Sequence, residues 1–163
     1  FNNQYSTQYV SLMPTNLYGP NDNYDLSSSH VLPALIRKIH EAKIKNNSEV
    51  VVWGTGSPKR EFMYVDDLAD ACIFMMENEI SNGIYNVGTG QDITIKSLVN
   101  IIAEIVGFKG EFLFDTSKPD GTPQKLLDVE KMKNLGWKSK IVLEDGIRST
   151  YEDFNKNYKN YCS

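Results

Sequence analysis

The segment "WGTGSPKREFMYVDD", residues 53–67, combines two glycines, a Lys-Arg pair and two adjacent aspartates. Glycines beside cations are typical of a loop that holds phosphate. The spacing matches neither G-x-x-x-x-G-K-[ST] nor G-x-G-x-x-G, so it predicts neither a P-loop nor a dinucleotide fingerprint. Arg60, at the start of a strand, could bind a diphosphate through two parallel hydrogen bonds. A tight hairpin with solvated cations is the alternative interpretation.

Two further side chains could complete a site around this loop. Trp53 ends the preceding strand and offers a flat face for a base or a sugar, although packing in the core would explain it equally well. Asp120 lies in "KPDGTP", where Pro-Asp-Gly is favourable turn chemistry. The pattern does not decide whether that turn also binds a ligand.

The histidines differ in their surroundings along the chain. His30 lies where a polar loop becomes a helix, and it shares a helical face with Arg37 and Lys38. That face could line a cleft for an anionic substrate, while periodicity alone favours a solvated face. His40 shows no partners in the pattern, and we predict that it lies on the surface.

Other chemistry is poorly supported by the residue types present. Asp66 and Asp67 are predicted to mark a helix start, with Asp66 as the N-cap, and not to act as an acid/base pair. Cys72 and Cys162 are too few and too far apart for a disulfide scaffold or a zinc site. We find no Ser-His-Asp arrangement and no glycosidase-type carboxylates, and we predict no metal site.

Composition narrows the class of protein. The chain has 163 residues and a formal net charge of -4, a length that fits one domain or a substantial part of a larger protein. Mild acidity argues against broad binding of nucleic acid or anionic membranes. No segment has the length of a membrane span or the profile of a signal peptide, so we expect a cytoplasmic location. The chain begins without methionine, as a segment from within a protein would.

Strands are predicted to alternate with helices, which indicates an α/β protein. The strands are expected at 9–20, 50–53, 60–65, 83–90 and 111–115. The helices are expected from His30, from Asp66, from Thr94 to Gly107, at 129–134 and from Leu143.

Helix ends and apolar faces follow from the same pattern. Serines before His30 and the hydroxyl of Thr94 are the expected N-caps, and Gly107 is the expected stop. The first helix should bury an apolar face, and the helix from Asp66 should bury another. Those faces are, respectively, Leu32, Leu35, Ile36 and Ile39, and Leu68, Cys72, Met75 and Met76.

Five blocks of the sequence together resemble one enzyme family. They are "PTNLYGPNDNY", "SSSHVLPALIRKIHEA", "VVVWGTGSPKREFMYVDDLADA", "YNVGTGQDITI" and "KPDGTPQKLLD". These blocks are similar to the GDP-L-fucose synthases, which are extended short-chain dehydrogenases/reductases. The resemblance implies one active site that epimerises a GDP-4-keto-6-deoxy sugar at C3 and C5 and reduces its C4 ketone with NADPH.

The resemblance also implies roles for individual residues. His30 in "SSSHV" would protonate the epimerised carbon and lie close to the NADP cofactor. The "PTNL" segment, which is Pro14, Thr15, Asn16 and Leu17, would meet the nicotinamide end of NADP. Contacts to the GDP-sugar would come from Lys38, Trp53, Arg60 and Asp120. The family often has arginine at the position of Lys38, so a bidentate contact there would become a point charge.

Several motifs of the family are not found in these residues. They are the glycine-rich fingerprint, the catalytic serine with its neighbouring cysteine, and Tyr-x-x-x-Lys, all of which precede "FNNQY" in the family's order. We therefore expect the C-terminal part of an NAD(P)-binding Rossmann fold plus the smaller α/β substrate-binding lobe, inactive by itself. The expected divisions are the end of the Rossmann domain (1–23), a substrate lobe with return strand (24–60), a Rossmann-associated segment (61–90) and a C-terminal substrate-binding lobe (91–163).

Two other functions stay open from the sequence. One is epimerisation or reduction of another GDP-4-keto-6-deoxy sugar, such as a heptose, because the present residues do not separate the sugars. The other is a non-catalytic module that binds a GDP-sugar. The implied partners are the GDP-sugar substrate and, in the full-length enzyme, a second copy in a homodimer, with no nucleic acid and no membrane.

Overall fold

The computed structural model describes residues 1–80 and 82–161, so Cys162 lies outside the described residues. The helices are α1 (Asn2–Tyr5), α2 (Val31–Ile44), α3 (Val65–Glu77), α4 (Ile95–Val106), α5 (Glu130–Asn134) and α6 (Leu143–Tyr161). The strands are β1 (Ser11–Pro14), β2 (Asn16–Tyr18), β3 (Glu49–Trp53), β4 (Lys59–Tyr64), β5 (Ile84–Val87), β6 (Asp92–Thr94), β7 (Glu111–Asp115) and β8 (Gln124–Lys125).

Most strand pairs are parallel. Strand β1 pairs with β5, β2 with β4, β3 with β7 and β8 with β4, all in parallel, whereas β6 pairs with β4 in the antiparallel sense. Parallel pairing with intervening helices confirms the predicted α/β class.

The apolar strand predicted at 9–20 is divided in two. Strand β1 ends at Pro14 and β2 begins at Asn16, and the two segments pair with different partners. Between them, the Thr15 N–H donates to the Val87 carbonyl at 3.0 Å. The break arises because β4 lies beside β2 while β5 lies beside β1, so the chain changes neighbours at Thr15.

Strands β3 and β4 do not form a hairpin with each other. Strand β3 pairs with β7, and β4 pairs with β2, β6 and β8. The alternative interpretation of residues 53–60 as a tight hairpin is therefore wrong. The loop between the strands packs instead on the start of α4, whose first N–H groups, from Ile95 and Lys96, donate to the carbonyls of Pro58 and Gly56.

The larger core lies between α2, α4, α6 and the strands that they cover. Helix α2 buries the predicted face, and α4 runs from the Thr94 side-chain cap to Gly107 in a left-handed conformation, as expected. The fully buried side chains of this core include Leu32, Ile36, Ile39, Leu98, Val99, Ile102, Ile147 and Phe154.

A smaller core packs around α3, and it corrects the predicted face of that helix. Met75 is buried and Leu68 packs against this core, but Cys72 is exposed and Met76 is 77% exposed. Ala71 takes the buried position instead. The buried stripe of α3 therefore follows the four-residue spacing of Asp67, Ala71 and Met75, and Cys72 and Met76 lie one position beyond it.

Two predicted caps are also wrong. Helix α3 follows Tyr64 as its N-cap, and Asp66 lies within the first turn. Helix α2 follows His30, which makes no side-chain capping hydrogen bond, so no serine caps it.

Asp67 is buried and accepts from the N–H groups of Lys140 and Ile141 at 3.0 and 3.1 Å. Its carboxylate therefore attaches a distant loop and does not cap the helix.

His40 is buried, so the predicted surface location is wrong. The ring is 5% exposed and lies 3.1 Å through Nδ1 from the Tyr151 hydroxyl. Its centroid is 5.3 Å from that of Phe154 and 4.8 Å from that of Tyr158. Burial lowers the pKa of His40, because a charged imidazole is poorly solvated among aromatic rings.

Candidate functional site

The four residues predicted to contact the GDP-sugar line one cleft of about 310 Å³, which we call the Trp53 cleft. They come from α2, the end of β3, the start of β4 and the loop that precedes β8. The lining residues are Leu26, Ser29, Val31, Ala34, Leu35, Lys38, Val52, Trp53, Gly56, Pro58, Arg60, Ile95 and Asp120. Its volume falls at the lower end of small-molecule sites, about 300–1,000 Å³.

Trp53 presents its ring to the cleft and not to the core. The side chain is 63% exposed, and the ammonium groups of Lys38 and Lys118 lie 5.2 and 5.6 Å from the ring centroid. Partial burial lowers the pKa of Lys38. An aromatic face flanked by two cations suits a flat, anionic ligand, because the ring can stack on a base while the cations attract phosphate.

Asp120 is attached to the glycine loop through Thr55. Its carboxylate accepts from the Thr55 N–H at 2.6 Å and from the Thr55 hydroxyl at 2.8 Å. Gly54 has a positive φ of 80°, and a Cβ at that position would collide with the Asp120 carboxylate. Glycine is therefore required both for the backbone conformation and for the close approach of Asp120.

Arg60 lies where β4 enters the cleft. Its guanidinium donates one hydrogen bond, from Nη1, to the Lys59 carbonyl at 2.7 Å. A guanidinium carries five N–H donors, so it has further donors for a phosphate. Strands β6 and β8 pair with Arg60 through Ile93 and Lys125, which fixes the backbone from both sides.

The residues predicted to meet the cofactor line a second, larger cavity together with His30. We call it the His30 cavity; its volume is about 720 Å³. Its lining residues are Pro14, Thr15, Asn16, Leu17, Asp22, His30, Lys125, Leu126 and Leu127.

The two cavities adjoin at two places. Ser29 lines the Trp53 cleft while the next residue, His30, lines the other cavity. Arg60 lines the cleft while its partner across the β4–β8 pairing, Lys125, lines the cavity. The Ser29 hydroxyl is buried and has no hydrogen-bond partner within residues 1–80 and 82–161. One ligand could therefore extend from the cleft into the cavity past Ser29.

Several residues of the site were missed in the sequence. Asp22 lines the His30 cavity; burial raises its pKa, and the nearby His30 acts in the opposite direction. Lys118 lies over the Trp53 ring, Thr55 holds Asp120, and Lys125 lines the His30 cavity. Asp22 and Lys118 lie inside the blocks "YGPNDNY" and "SKPDG", so the only available signal was their position in those blocks.

One predicted neighbour of His30 is not part of the site. Arg37 donates to the Glu41 carboxylate at 2.7 Å and to the Tyr24 carbonyl at 3.0 Å. The predicted face of His30, Arg37 and Lys38 is therefore divided, because Lys38 lines the Trp53 cleft and Arg37 supports the preceding loop.

Two kinds of feature are absent from the part of the chain that the structure describes. Within residues 1–80 and 82–161, no group of three His, Cys, Asp or Glu side chains is placed to hold a metal ion. Over the same residues, no helix combines the length and apolar character that crossing a membrane requires.

Parallel strands with covering helices define an α/β protein. Its two cavities, which are lined by cations and have neighbouring residues in their walls, are the candidate ligand site. The model of the NAD dependent epimerase/dehydratase family matches residues 1–88, and the chain belongs to this family.

The relatives agree with the resemblance seen in the sequence blocks. GDP-L-fucose synthase 1 of Arabidopsis thaliana is 52% identical over 157 residues, which are 96% of this chain and 49% of that protein. The chain thus spans about half the length of the relatives that it matches. The resemblance to GDP-L-fucose synthases is confirmed.

Solved structures show the same fold. A GDP-L-fucose synthetase from Naegleria fowleri bound to NADP has a TM-score of 0.86 and 30% identity, over 94% of this chain and 47% of that one. A GDP-mannoheptose C4 reductase from Campylobacter jejuni with NADP bound has a TM-score of 0.82 and 38% identity, over 94% of this chain and 55% of that one.

Proposed function

We propose that the whole protein converts GDP-4-keto-6-deoxy-D-mannose to GDP-L-fucose with NADPH, and that this chain supplies the GDP-sugar site and one wall of the cofactor site. The observation that carries the proposal is the convergence of Lys38, Trp53, Arg60 and Asp120, from four separate segments, on one cleft that adjoins the His30 cavity. The relatives named GDP-L-fucose synthase support the same substrate.

The Trp53 cleft binds the nucleotide part of the substrate in this proposal. Trp53 stacks on the flat ligand, and Arg60 and Lys38 neutralise the diphosphate. The Asp120 carboxylate holds its own loop close to Thr55 through two hydrogen bonds. Its remaining lone pairs can accept hydrogen bonds from hydroxyl or N–H groups of the ligand. The unpartnered Ser29 hydroxyl lies where the sugar would pass toward His30.

The residues of the His30 cavity fit a nicotinamide cofactor. The volume of about 720 Å³ suits one end of a dinucleotide together with a sugar. Lys125 and His30 can attract anionic groups, and Asn16 and Thr15 offer polar contacts. NADPH would supply the hydride that reduces the C4 ketone.

His30 acts in epimerisation in this proposal. The cysteine expected beside the family's catalytic serine takes the proton next to the C4 ketone and leaves an enolate, and His30 delivers a proton to the opposite face of that carbon. An imidazole suits the task because it exchanges protons near neutral pH. Asp22 lies in the same cavity, where burial raises the pKa of its carboxyl group.

The experiment is single-variant kinetics on the whole protein. His30→Gln should retain GDP binding, lose about 10²–10⁴ in the rate of inversion, and either stall or release a C4-reduced sugar with uninverted centres. The readouts are deuterium incorporation from D₂O at C3 and C5 and the identity of the product. Normal inversion in His30→Gln would contradict the role of His30.

The other histidine provides the control. His40→Gln removes a ring from the aromatic cluster around Phe154, so it should lower the melting temperature but leave inversion normal. A variant that loses stability without losing inversion separates a fold defect from a chemical one.

A GDP-heptose is the second candidate substrate, because a GDP-mannoheptose C4 reductase shares the fold at 38% identity. The product analysis should therefore include a GDP-4-keto-heptose. Turnover of the heptose alone would select this candidate, and binding of GDP without any turnover would select the non-catalytic module.

Three sequence-based expectations accompany this proposal. They are the homodimer, the cytoplasmic location, and the placement of the glycine-rich fingerprint, the serine and Tyr-x-x-x-Lys before residue 1. We also expect the chain to divide at residues 23, 60 and 90.

A further inference from the structure

Glu61 is a fully buried carboxylate that lies next to Arg60 on β4. Its relative exposure is 0%. One oxygen accepts from the Gly90 N–H at 2.7 Å and from the Thr89 hydroxyl at 3.3 Å, and the other accepts from the Leu127 N–H at 3.0 Å. The side chain therefore joins β4 to two segments that are distant in the sequence.

The contacts of Glu61 reach two walls of the His30 cavity. Leu127, held by the carboxylate, lines the cavity beside Lys125 and Leu126. The carbonyl of Glu61 accepts from the Asn16 side chain at 2.7 Å and from the Thr15 hydroxyl at 3.3 Å, and these residues line the other wall. One residue thus fixes the positions of both walls relative to β4.

We propose that Glu61 is a positioning residue for the cofactor end of the site, because its carboxylate holds the 125–127 wall and its carbonyl holds the 15–16 wall at a fixed separation. This inference rests on the proposed function for the identity of the bound cofactor. Glu61 does not touch the cavity itself, so it acts through Leu127, Thr15 and Asn16.

The sequence around Gly88 supports a dedicated place for this carboxylate. A Cβ at Gly88 would collide with Glu61, so the turn at 88–90 leaves room for the charged group and surrounds it with donors. A buried carboxylate without such donors would be strongly destabilising. In Glu61→Gln, an amide NH₂ would face either the Leu127 or the Gly90 N–H, so one of the two segments must move away.

The test compares Glu61→Gln with Asp67→Asn in the whole protein. Asp67 is also buried and also accepts from two backbone N–H groups of a distant loop, but Lys140 and Ile141 line neither cavity. The two changes therefore remove the same chemistry, and only one of them is linked to the His30 cavity.

The expected result is a selective loss at the cofactor end. Calorimetric titration with NADP⁺ should show about tenfold weaker binding in Glu61→Gln, the effect of losing one hydrogen bond to a charged group. The kcat with NADPH should fall about 10²-fold, because a small displacement of a positioning wall disturbs alignment. Titration with GDP should change by less than about threefold, and Asp67→Asn should keep both affinities.

A second variant and an activity-independent measurement complete the test. Gly88→Ala keeps the carboxylate but displaces it, so it should give the same NADP⁺-selective loss even if Glu61→Gln does not fold. Amide hydrogen exchange should accelerate at Leu127 and Gly90 in both variants and stay normal there in Asp67→Asn. Absence of GDP-sugar turnover by the wild-type protein would count against the proposed function. Hydrogen exchange would still test whether Glu61 holds the segments at Leu127 and Gly90.

Two outcomes would overturn the inference. One is unchanged NADP⁺ binding and kcat in folded Glu61→Gln or Gly88→Ala. The other is a loss that is not selective. It could be an equal loss of NADP⁺ and GDP affinity in one variant, or a loss of NADP⁺ affinity in Asp67→Asn that equals the loss in Glu61→Gln. Either result would show a general structural role.

Discussion

The triplet Gly-Thr-Gly occurs twice in the chain, at 54–56 and at 88–90, and each copy binds a carboxylate from elsewhere. At the first copy, the Thr55 N–H and hydroxyl donate to Asp120. At the second, the Gly90 N–H and the Thr89 hydroxyl donate to Glu61. In both, the first glycine leaves room for the acid, since a Cβ at Gly54 or Gly88 would collide with it.

The two copies differ in how far their bound carboxylates are exposed to solvent, and this difference indicates different roles. Asp120 lines the Trp53 cleft, and both Asp120 and Thr55 are exposed, so water can exchange with their hydrogen bonds. Glu61 is completely buried, so no ligand reaches its hydrogen bonds. The same local sequence therefore forms a solvent-accessible contact beside the Trp53 cleft and a buried attachment behind the His30 cavity. Three pairs of variants test this contrast.

The largest expected effect comes from removing each acid. Glu61→Ala leaves buried N–H donors of Gly90 and Leu127 without an acceptor, so the free energy of unfolding should fall by about 3 kcal/mol. Asp120→Ala leaves donors that water can reach, so the loss should be below about 1 kcal/mol. Calorimetric or urea unfolding of the whole protein measures both. Equal losses would show that burial does not distinguish the two turns.

A smaller effect is expected from filling the space beside each acid. Gly88→Ala should cost about 2 kcal/mol, because the buried Glu61 cannot move aside without breaking its hydrogen bonds. Gly54→Ala should cost about 1 kcal/mol, mainly from the positive φ, because exposed Asp120 can turn away. The matched control is Gly136→Ala, which has a positive φ of 96° but no atom within 4 Å of the new Cβ.

The same comparison explains how far the sequence could be used for prediction. Helix α4 was predicted from Thr94 to Gly107, and strand β7 was predicted at its observed bounds, because periodicity and capping are local signals. The local sequence pattern did not reveal the contacts of Glu61 with the second Gly-Thr-Gly turn. Glu61 is separated in the sequence from Gly90 by 29 residues and from Leu127 by 66 residues. A glutamate in a strand-like run carries no sign that it is buried.

Errors in the sequence-based predictions arise from tertiary contacts as well. His40 lies on α2 and packs against Tyr151 and Phe154 from α6, a contact that the periodicity of one helix does not describe. The predicted hairpin at 53–60 was wrong because β3 pairs with β7, while β4 pairs with β2, β6 and β8. The candidate site residues were identified from the blocks that resemble the family, because spacing alone describes them only as separate turns and helix faces.

The smallest expected effect comes from the two threonines. Thr89→Val removes one of the donors to Glu61 but leaves both backbone N–H groups, so it should cost about 1 kcal/mol of unfolding free energy and leave GDP affinity unchanged.

Thr55→Val removes the hydroxyl that holds one Asp120 oxygen at 2.8 Å while the Thr55 N–H keeps the other. Because that site is exposed, stability should change by less than about 0.5 kcal/mol. The freed Asp120 side chain and its loop should instead weaken GDP binding about threefold, as lost positioning of a cleft residue does. Thermal unfolding and GDP titration of both variants check the pair. If Thr55→Val lowered stability and Thr89→Val lowered GDP affinity, the assignment of the exposed turn to binding and of the buried turn to support would be reversed.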